Sequence, residues 1–262
     1  MQVPQDKLAR GHGARSDHIA ALERGLAIVK LLAASEDRLT LAEVAQQSGY
    51  SRAAARRFLL SLQGLGFVVG DGRYFRLNRD VLELGFSYLS SQPWWRPALH
   101  AIAMLSSSLG ANCAAGVLDR GQFAIVARPT SHRVSVAGPA GVASMPAYAS
   151  AGGRVLLGAL SPDAFEGYIA TAAIHPLTHF TLTSADGLRR AVTLVRESGH
   201  AVAAQEIEIG ITAVAVPIRD RGGKPVAALE AYCRGMDGVH PEAVIAALKE
   251  AADAIHLEAF NG

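Results

Sequence analysis

Apolar and polar positions change rhythm several times along this chain. From residue 19 to 33 apolar side chains return every three or four positions, at Leu22, Leu26, Val29 and Leu32 or Ala33, which predicts a helix with one side turned to a core. A short helix follows through Leu41, Val44 and Ala45, and a third carries Ala55, Leu59 and Leu62, with Leu65 extending the stripe. Residues 67–69 and 73–77 are brief apolar runs around Gly70-Asp71-Gly72, which predicts a hairpin. Helical spacing resumes over 80–90 through Val81, Leu84, Gly85 and Tyr88, and stops before Gln92-Pro93, where the residue ahead of proline is held out of the helix.

From residue 94 short strands and helices intermix. Ala98, Ile102, Leu105 and Leu109 mark a helix, and 113–118 and 123–128 read as strands joined through Asp119-Arg120-Gly121-Gln122. A third strand is predicted at 133–137, then a Gly/Pro-punctuated loop at 138–146 that carries neither a Walker signature nor a dinucleotide fingerprint. Helices are predicted at 152–160, from Ser161-Pro162-Asp163 onward, and through Leu188, Ala191, Val192 and Val195 to Gly199. Strands at 201–205, 213–219 and 225–232 precede a final helix at 241–260. The sum is an α+β chain whose second part is a largely antiparallel sheet with helices packed on it.

The helix ends carry the first functional signal. Thr40 and Glu43 form a Thr-x-x-Glu capping box, Gly49 can supply the positive φ of a sharp exit, and Ser51 can cap the next helix. A capped short helix, a glycine turn and a second helix opening on Arg52, Arg56 and Arg57 is the order of a DNA-binding helix-turn-helix, and Ala53 and Ala54 leave room for close approach. The hairpin is a candidate wing. Six arginines (52, 56, 57, 73, 76 and 79) face only Asp71 and Asp80 in this region, the local excess that a polyanion-facing surface needs. An ordinary solvated helix face also carries arginines; the preceding cap and turn favour DNA.

Composition changes this picture little. Half of the 262 residues are hydrophobic, enough for one small and one medium core, and the net charge is only +2. The first 90 residues hold twelve basic and nine acidic side chains, so the basicity is local. Cys113 and Cys233 have no paired spacing, which fits a reducing compartment and small strand hydrophobes rather than a disulfide framework or nucleophiles. Residues 1–17 read as a flexible, weakly basic tail; no apolar leader or membrane-length run appears, so a cytoplasmic protein is expected. His175 and His179 have ligand-like spacing without a third ligand, and no metal or cofactor is expected. Gln205, Glu206 and Glu208 are read as a structural strand end. Ser144 and Ser150 lack a nucleophile elbow, so an enzyme is the weaker reading.

The stretches LERGLAIVKLL (22–32), LTLAEVAQQSGYSRAAARRFLLSLQGLGFV (39–68), LELGFSYLSS (82–91), PAYASAGGRVLLGAL (146–160) and AVPIRDRGGKPVAAL (215–229) resemble the IclR family of bacterial transcriptional regulators. RAAARRFL at 52–59 resembles in particular its branch of aromatic-catabolism regulators, the PcaR, PcaU and PobR type. The resemblance covers about residues 19–258. It implies a winged helix-turn-helix domain (18–79), a linker helix and hinge (80–92) and a GAF-like antiparallel-sheet effector domain (93–262). It also implies a homodimer or dimer of dimers on double-stranded operator DNA, with no membrane partner. The DNA-facing residues are expected at Thr40, Ser51, Arg52, Ala53, Arg56, Arg57, Arg73 and Arg76.

Carried over by position, the effector pocket would be lined by Val134, Val136, Tyr148, Ala151, Gly152, Ala203, Ala213, Glu230 and Tyr232, with Arg133 as carboxylate partner or else an exposed strand arginine. The small residues at 151–153 are expected to open the amides of a helix start to a ligand carboxylate. The branch resembled implies an aromatic or other small organic acid as ligand; Glu230 departs from the family pattern and would repel a carboxylate, which gives a phenol or amine as the alternative.

Overall fold

The computed structural model describes residues 19–35, 37–128, 144–234 and 241–260, and the chain divides into two compact units between Glu83 and Leu84. The division falls inside the helix expected as a linker. The tail at 1–17 and the strand expected at 133–137 lie outside the described residues.

The first unit contains helices α1 (Ala20–Ala33), α2 (Leu41–Ser48) and α3 (Arg52–Gly64) and strands β1 (Leu39–Thr40), β2 (Val68–Gly70) and β3 (Tyr74–Leu77). The capping box is formed: the amide of Thr40 donates to Glu43 Oε2 at 2.7 Å, and the amide of Glu43 donates to Thr40 Oγ1 at 3.3 Å. Gly49 ends α2 at φ 71°, and Ser51 Oγ accepts the amide of Ala54 at 3.2 Å to start α3. Each cap satisfies donors or acceptors that a helix end leaves open. In the hairpin, Asp71 Oδ1 accepts the amides of Arg73 (2.9 Å) and Tyr74 (2.8 Å), which sets the turn and pairs Val69 with Arg76. The core joins Ile28, Leu32, Val44, Ala55, Leu59, Leu62, Val68 and Phe75.

Two sequence expectations are corrected here. The buried side of α1 is Ile28 and Leu32, while Leu22 and Leu26 are 62% and 51% exposed. Leu65 does not extend the α3 stripe; it is the residue that ends the helix and is 68% exposed. The strand β1, which pairs Leu39 with Phe75 and makes the sheet three-stranded in the order β1-β3-β2, was not expected.

Helix α4 (Val81–Ser90) runs across the division, and none of its side chains is buried. The second unit continues with α5 (Trp95–Leu109), β4 (Asn112–Asp119), β5 (Gln122–Ala127), β6 (Ser144–Pro146), α6 (Ala151–Gly158), α7 (Pro162–Thr171), α8 (Ala185–Ser198), β7 (Ala201–Ala204), β8 (Ile211–Arg219), β9 (Pro225–Arg234) and α9 (Pro241–Phe260). Its strands make one antiparallel sheet in the order β6-β5-β4-β9-β8-β7. Residues 144–146, expected as loop, form one of its two edge strands among the described residues.

Strand periodicity divides the side chains between two cores. Leu229, Ala231 and Cys233 of β9 join Cys113 and Ala115 under α5 and α9. Ala228 and Tyr232 join Phe123, Met145 and the α6 residues Ala151, Val155 and Leu156 on the other face. The indole of Trp95 donates Nε1–H to the carbonyl of Val126 at 3.2 Å and meets the ring of Phe86 edge-on at 5.4 Å. No described helix is long and apolar enough to cross a membrane.

Candidate functional site

On the first unit, Arg52, Ala53, Arg56 and Arg57 are exposed along the first turns of α3, and Arg73 and Arg76 are exposed on the hairpin. None of these five arginines makes an ion pair among the described residues. Arg73 and Arg38 both sit over the ring of Tyr74, at 5.2 and 4.9 Å from its centroid, and Arg38 approaches Asp71 at 3.8 Å. Thr40 and Ser51 spend their side-chain oxygens on the helix caps, so their contribution to this face is to hold α2 and α3 in place. The result is a helix start bearing three unneutralised guanidinium groups beside a basic hairpin, a surface suited to phosphates and guanine edges.

On the second unit, Glu230 stands in the middle of β9 between Ala114 of β4 and Ala215 of β8, and it is fully buried. Its Oε1 accepts the amide of Gly152 at 3.2 Å and its Oε2 accepts the hydroxyl of Tyr232 at 2.9 Å. Burial pushes this carboxyl up to about 7, against the lowering effect of the Tyr232 hydroxyl and the amides of Gly152 and Ala151. Burial, and then the carboxylate beside it, push the Tyr232 phenol well above its usual range.

Six of the residues expected for the effector pocket are brought together: Ala151, Gly152, Ala203, Ala213, Glu230 and Tyr232 lie on the α6 face of the sheet. Tyr148 is not with them. It packs with Leu157, Phe165 and Leu188, and its hydroxyl donates to the carbonyl of His175 at 2.8 Å and accepts the amide of His175 at 3.0 Å. Arg133, Val134 and Val136 lie outside the described residues.

The small residues at the start of α6 do a different job from the one expected. A Cβ on Gly152 would lie 2.5 Å from Cζ of Phe123, and one on Gly153 would lie 2.4 Å from the backbone of Ala147. The amide of Gly153 is capped by Ser150 Oγ at 3.0 Å, and that of Gly152 by Glu230. The helix start is packed against protein and holds the protein's own carboxylate.

Sequence reasoning missed the one charged group of α6. Arg154, almost wholly buried, makes a two-pronged pair with Glu206, with Nη1 donating to Oε1 at 2.6 Å and Nη2 donating to Oε2, while its Nε donates to the Tyr148 carbonyl at 2.9 Å. Glu206 Oε2 also accepts the amide of Leu182 at 3.0 Å. A lone arginine in the otherwise apolar AGGRVLLG was the available signal, since such a charge needs a partner. His179 stacks beside Phe180, and no group of three metal-ligating side chains occurs among the described residues.

With this geometry in place, the comparisons with known proteins are specific. Residues 21–72 match the IclR helix-turn-helix domain, and residues 86–257 match the bacterial transcriptional regulator IclR C-terminal domain. The p-hydroxybenzoate hydroxylase transcriptional activator of Acinetobacter baylyi is 32% identical over 238 residues, spanning 87% of this chain and 88% of its own. The Pca regulon regulatory protein of Pseudomonas putida is 35% identical over 219 residues, spanning 81% of this chain and 74% of its own. A solved transcriptional regulator from Rhodococcus sp. RHA1 aligns with a TM-score of 0.79 at 34% identity, over 92% of this chain and 98% of its own.

Proposed function

This chain belongs to the IclR family of bacterial transcriptional regulators, and on that premise we propose that α3 reads operator DNA while the Glu230 side of the sheet answers to a small aromatic acid. The protein is a DNA-binding transcription regulator under small-molecule control rather than an enzyme. In this reading 18–79 serves DNA, 80–92 is the linker, and 93–262 serves the effector. The observation that carries the DNA half is the trio Arg52, Arg56 and Arg57, exposed and without carboxylate partners among the described residues, at the start of a doubly capped helix pair.

The test is selection from a random-sequence duplex pool. The native chain should enrich one site with two-fold symmetry; Arg52→Ala/Arg56→Ala/Arg57→Ala should enrich none and lose about 0.9 from the salt slope for each phosphate contact removed. Enrichment of the same site by the variant would remove α3 from the recognition role.

For the effector, the relative from A. baylyi is by name the p-hydroxybenzoate hydroxylase transcriptional activator, which supports an aromatic acid with a ring hydroxyl. Glu230 accepts hydrogen bonds, so it suits the hydroxyl end of such a ligand, and Arg133 is the carboxylate partner that the sequence offers. The full burial of Glu230 favours one second reading, a ligand bearing an amine. A thermal-shift panel of hydroxybenzoates, phenols and aryl amines separates the two when repeated on Glu230→Gln and Arg133→Ala. Loss of stabilisation by hydroxybenzoates in both variants supports the first reading; stabilisation by amines alone, lost only in Glu230→Gln, supports the second.

The active form is a homodimer or a dimer of dimers. Leu22 and Leu26 on α1, and Leu82, Leu84 and Phe86 on α4, are exposed apolar side chains that a second copy would cover. Its place of work is the cytoplasm, where operator DNA is met.

A further inference from the structure

The outer face of the three-stranded sheet in the first unit carries a cluster that the recognition helix does not use. Along β3, Tyr74 and Arg76 alternate with the buried Phe75 and so point away from the core, with Thr40 of β1 and Val69 of β2 as their cross-strand neighbours. Arg38, exposed two residues ahead of Thr40, shares this face: its guanidinium carbon lies 4.9 Å from the centroid of the Tyr74 ring. That of Arg73 lies 5.2 Å from the same centroid. One half-buried ring thus brings two cations together, and Arg76 stands on the same face two residues along the strand.

The carboxylate nearest this cluster is occupied elsewhere. Asp71 Oδ1 accepts the amides of Arg73 and Tyr74 at 2.9 and 2.8 Å and so holds the turn, while its Oδ2 reaches Arg38 only at 3.8 Å. Asp37, beside Arg38 in the chain, makes no ion pair with it, and neither Arg73 nor Arg76 is paired with an acid among the described residues. The face of the ring offsets part of the repulsion between the two guanidinium groups and limits where they can go. An anion offsets the rest, and cations already held in place lose less freedom in meeting it. The cluster is also fixed relative to the recognition helix: Gln63, at the end of α3, donates Nε2 to the carbonyl of Gly70 in the hairpin at 3.4 Å.

We propose that Arg38, together with Arg73, is a phosphate contact for duplex DNA, and that the Tyr74 ring is the positioning residue that holds both. This rests on the DNA-binding reading and adds to it a residue ahead of the helix-turn-helix. The partner is the backbone of the duplex beside the stretch that α3 reads, because planar guanidinium groups match phosphate oxygens. Such a contact sets position and carries no sequence information of its own.

The test measures affinity of the full chain for the site enriched from a random-sequence pool and for an unrelated duplex, each across a salt series. Arg38→Gln should weaken both by a similar severalfold factor and reduce the slope of log affinity against log salt by about 0.9, with helix content unchanged. Tyr74→Leu should weaken both as well, whereas Tyr74→Phe keeps the ring and should bind as the native chain does. Asp71→Asn keeps an oxygen to accept the turn amides, removes the opposing charge and should tighten both, an outcome that does not depend on the folding of Arg38→Gln. A native salt slope in Arg38→Gln overturns the proposal, as does a loss confined to the enriched site, since Arg38 would then read bases. Equal affinity in Tyr74→Leu and Tyr74→Phe removes the positioning role. If the native chain binds neither duplex, the DNA-binding reading falls with the proposal; if Arg38→Gln binds natively while Arg52→Ala/Arg56→Ala/Arg57→Ala does not, the proposal alone falls.

Discussion

Glu230 and Gly152, 78 residues apart in the chain, are joined by a 3.2 Å hydrogen bond from the Gly152 amide to the Glu230 carboxylate. The positive end of α6 is therefore occupied from within, by a side chain in the centre of the sheet. This contact makes the Glu230 side of the sheet sensitive to pH and to substitution in ways that can be measured.

Glu230 titrates near 7 when folded and near its ordinary value of 4.5 when unfolded, so between those values the folded chain binds the extra proton. The stability this group contributes is full below 4.5 and is lost as pH rises through 7, on the order of 3 kcal/mol across the window. Chemical denaturation of the native chain and of Glu230→Gln from pH 5 to 8 should show the native chain losing stability relative to the variant. Parallel curves would place the carboxyl's titration elsewhere.

Gly152→Ala forces a methyl group to within 2.5 Å of the Phe123 ring. A cost of about 1–3 kcal/mol is expected from overpacking, with partial recovery in Gly152→Ala/Phe123→Leu, read from denaturation midpoints. An unaltered midpoint in the single variant would mean that α6 can slide away from β5.

Arg154→Leu leaves the buried Glu206 without its cation and should cost roughly 3–5 kcal/mol. Glu206 still accepts the amide of Leu182, so Arg154→Leu/Glu206→Gln should recover most but not all of that loss. If the double variant is as unstable as the single one, the pair's worth lies in shape and not in charge.

Replacing Leu22 and Leu26 by Lys removes no buried contact of the single chain, since both are exposed. Sedimentation velocity should then show the assembly dissociating at protein concentrations where the native chain stays paired, with little change in helix content. Native-like association of the variant would take α1 out of the interface.

Much of this was legible in the sequence, and the exceptions share a cause. Thr40, Glu43, Gly49 and Ser51 announce their helix ends because capping is local, decided within three or four residues. The face of α1 is not decided locally: Leu22, Leu26, Ile28, Val29, Leu31 and Leu32 offer two apolar stripes, and the elements packed against it, α2, α3 and β3, select Ile28 and Leu32. Strands of two and three residues, such as β1 and β6, are too short to show a period. The grouping of Glu230 and Tyr232 follows from alternation along β9, yet neither the bond to Gly152 nor the Arg154–Glu206 pair could be found from spacing, because their partners are 78 and 52 residues away.

Trp95 carries one more consequence. Its indole is hydrogen-bonded to β5 at one edge and presses on Phe86 of α4 at the other. A shift of β5 that preserves the 3.2 Å bond must drag the indole, and the indole cannot move without pushing or releasing Phe86. The tryptophan thus ties sheet to helix, and tryptophan fluorescence, to which Trp94 also contributes, should follow effector binding without any added label.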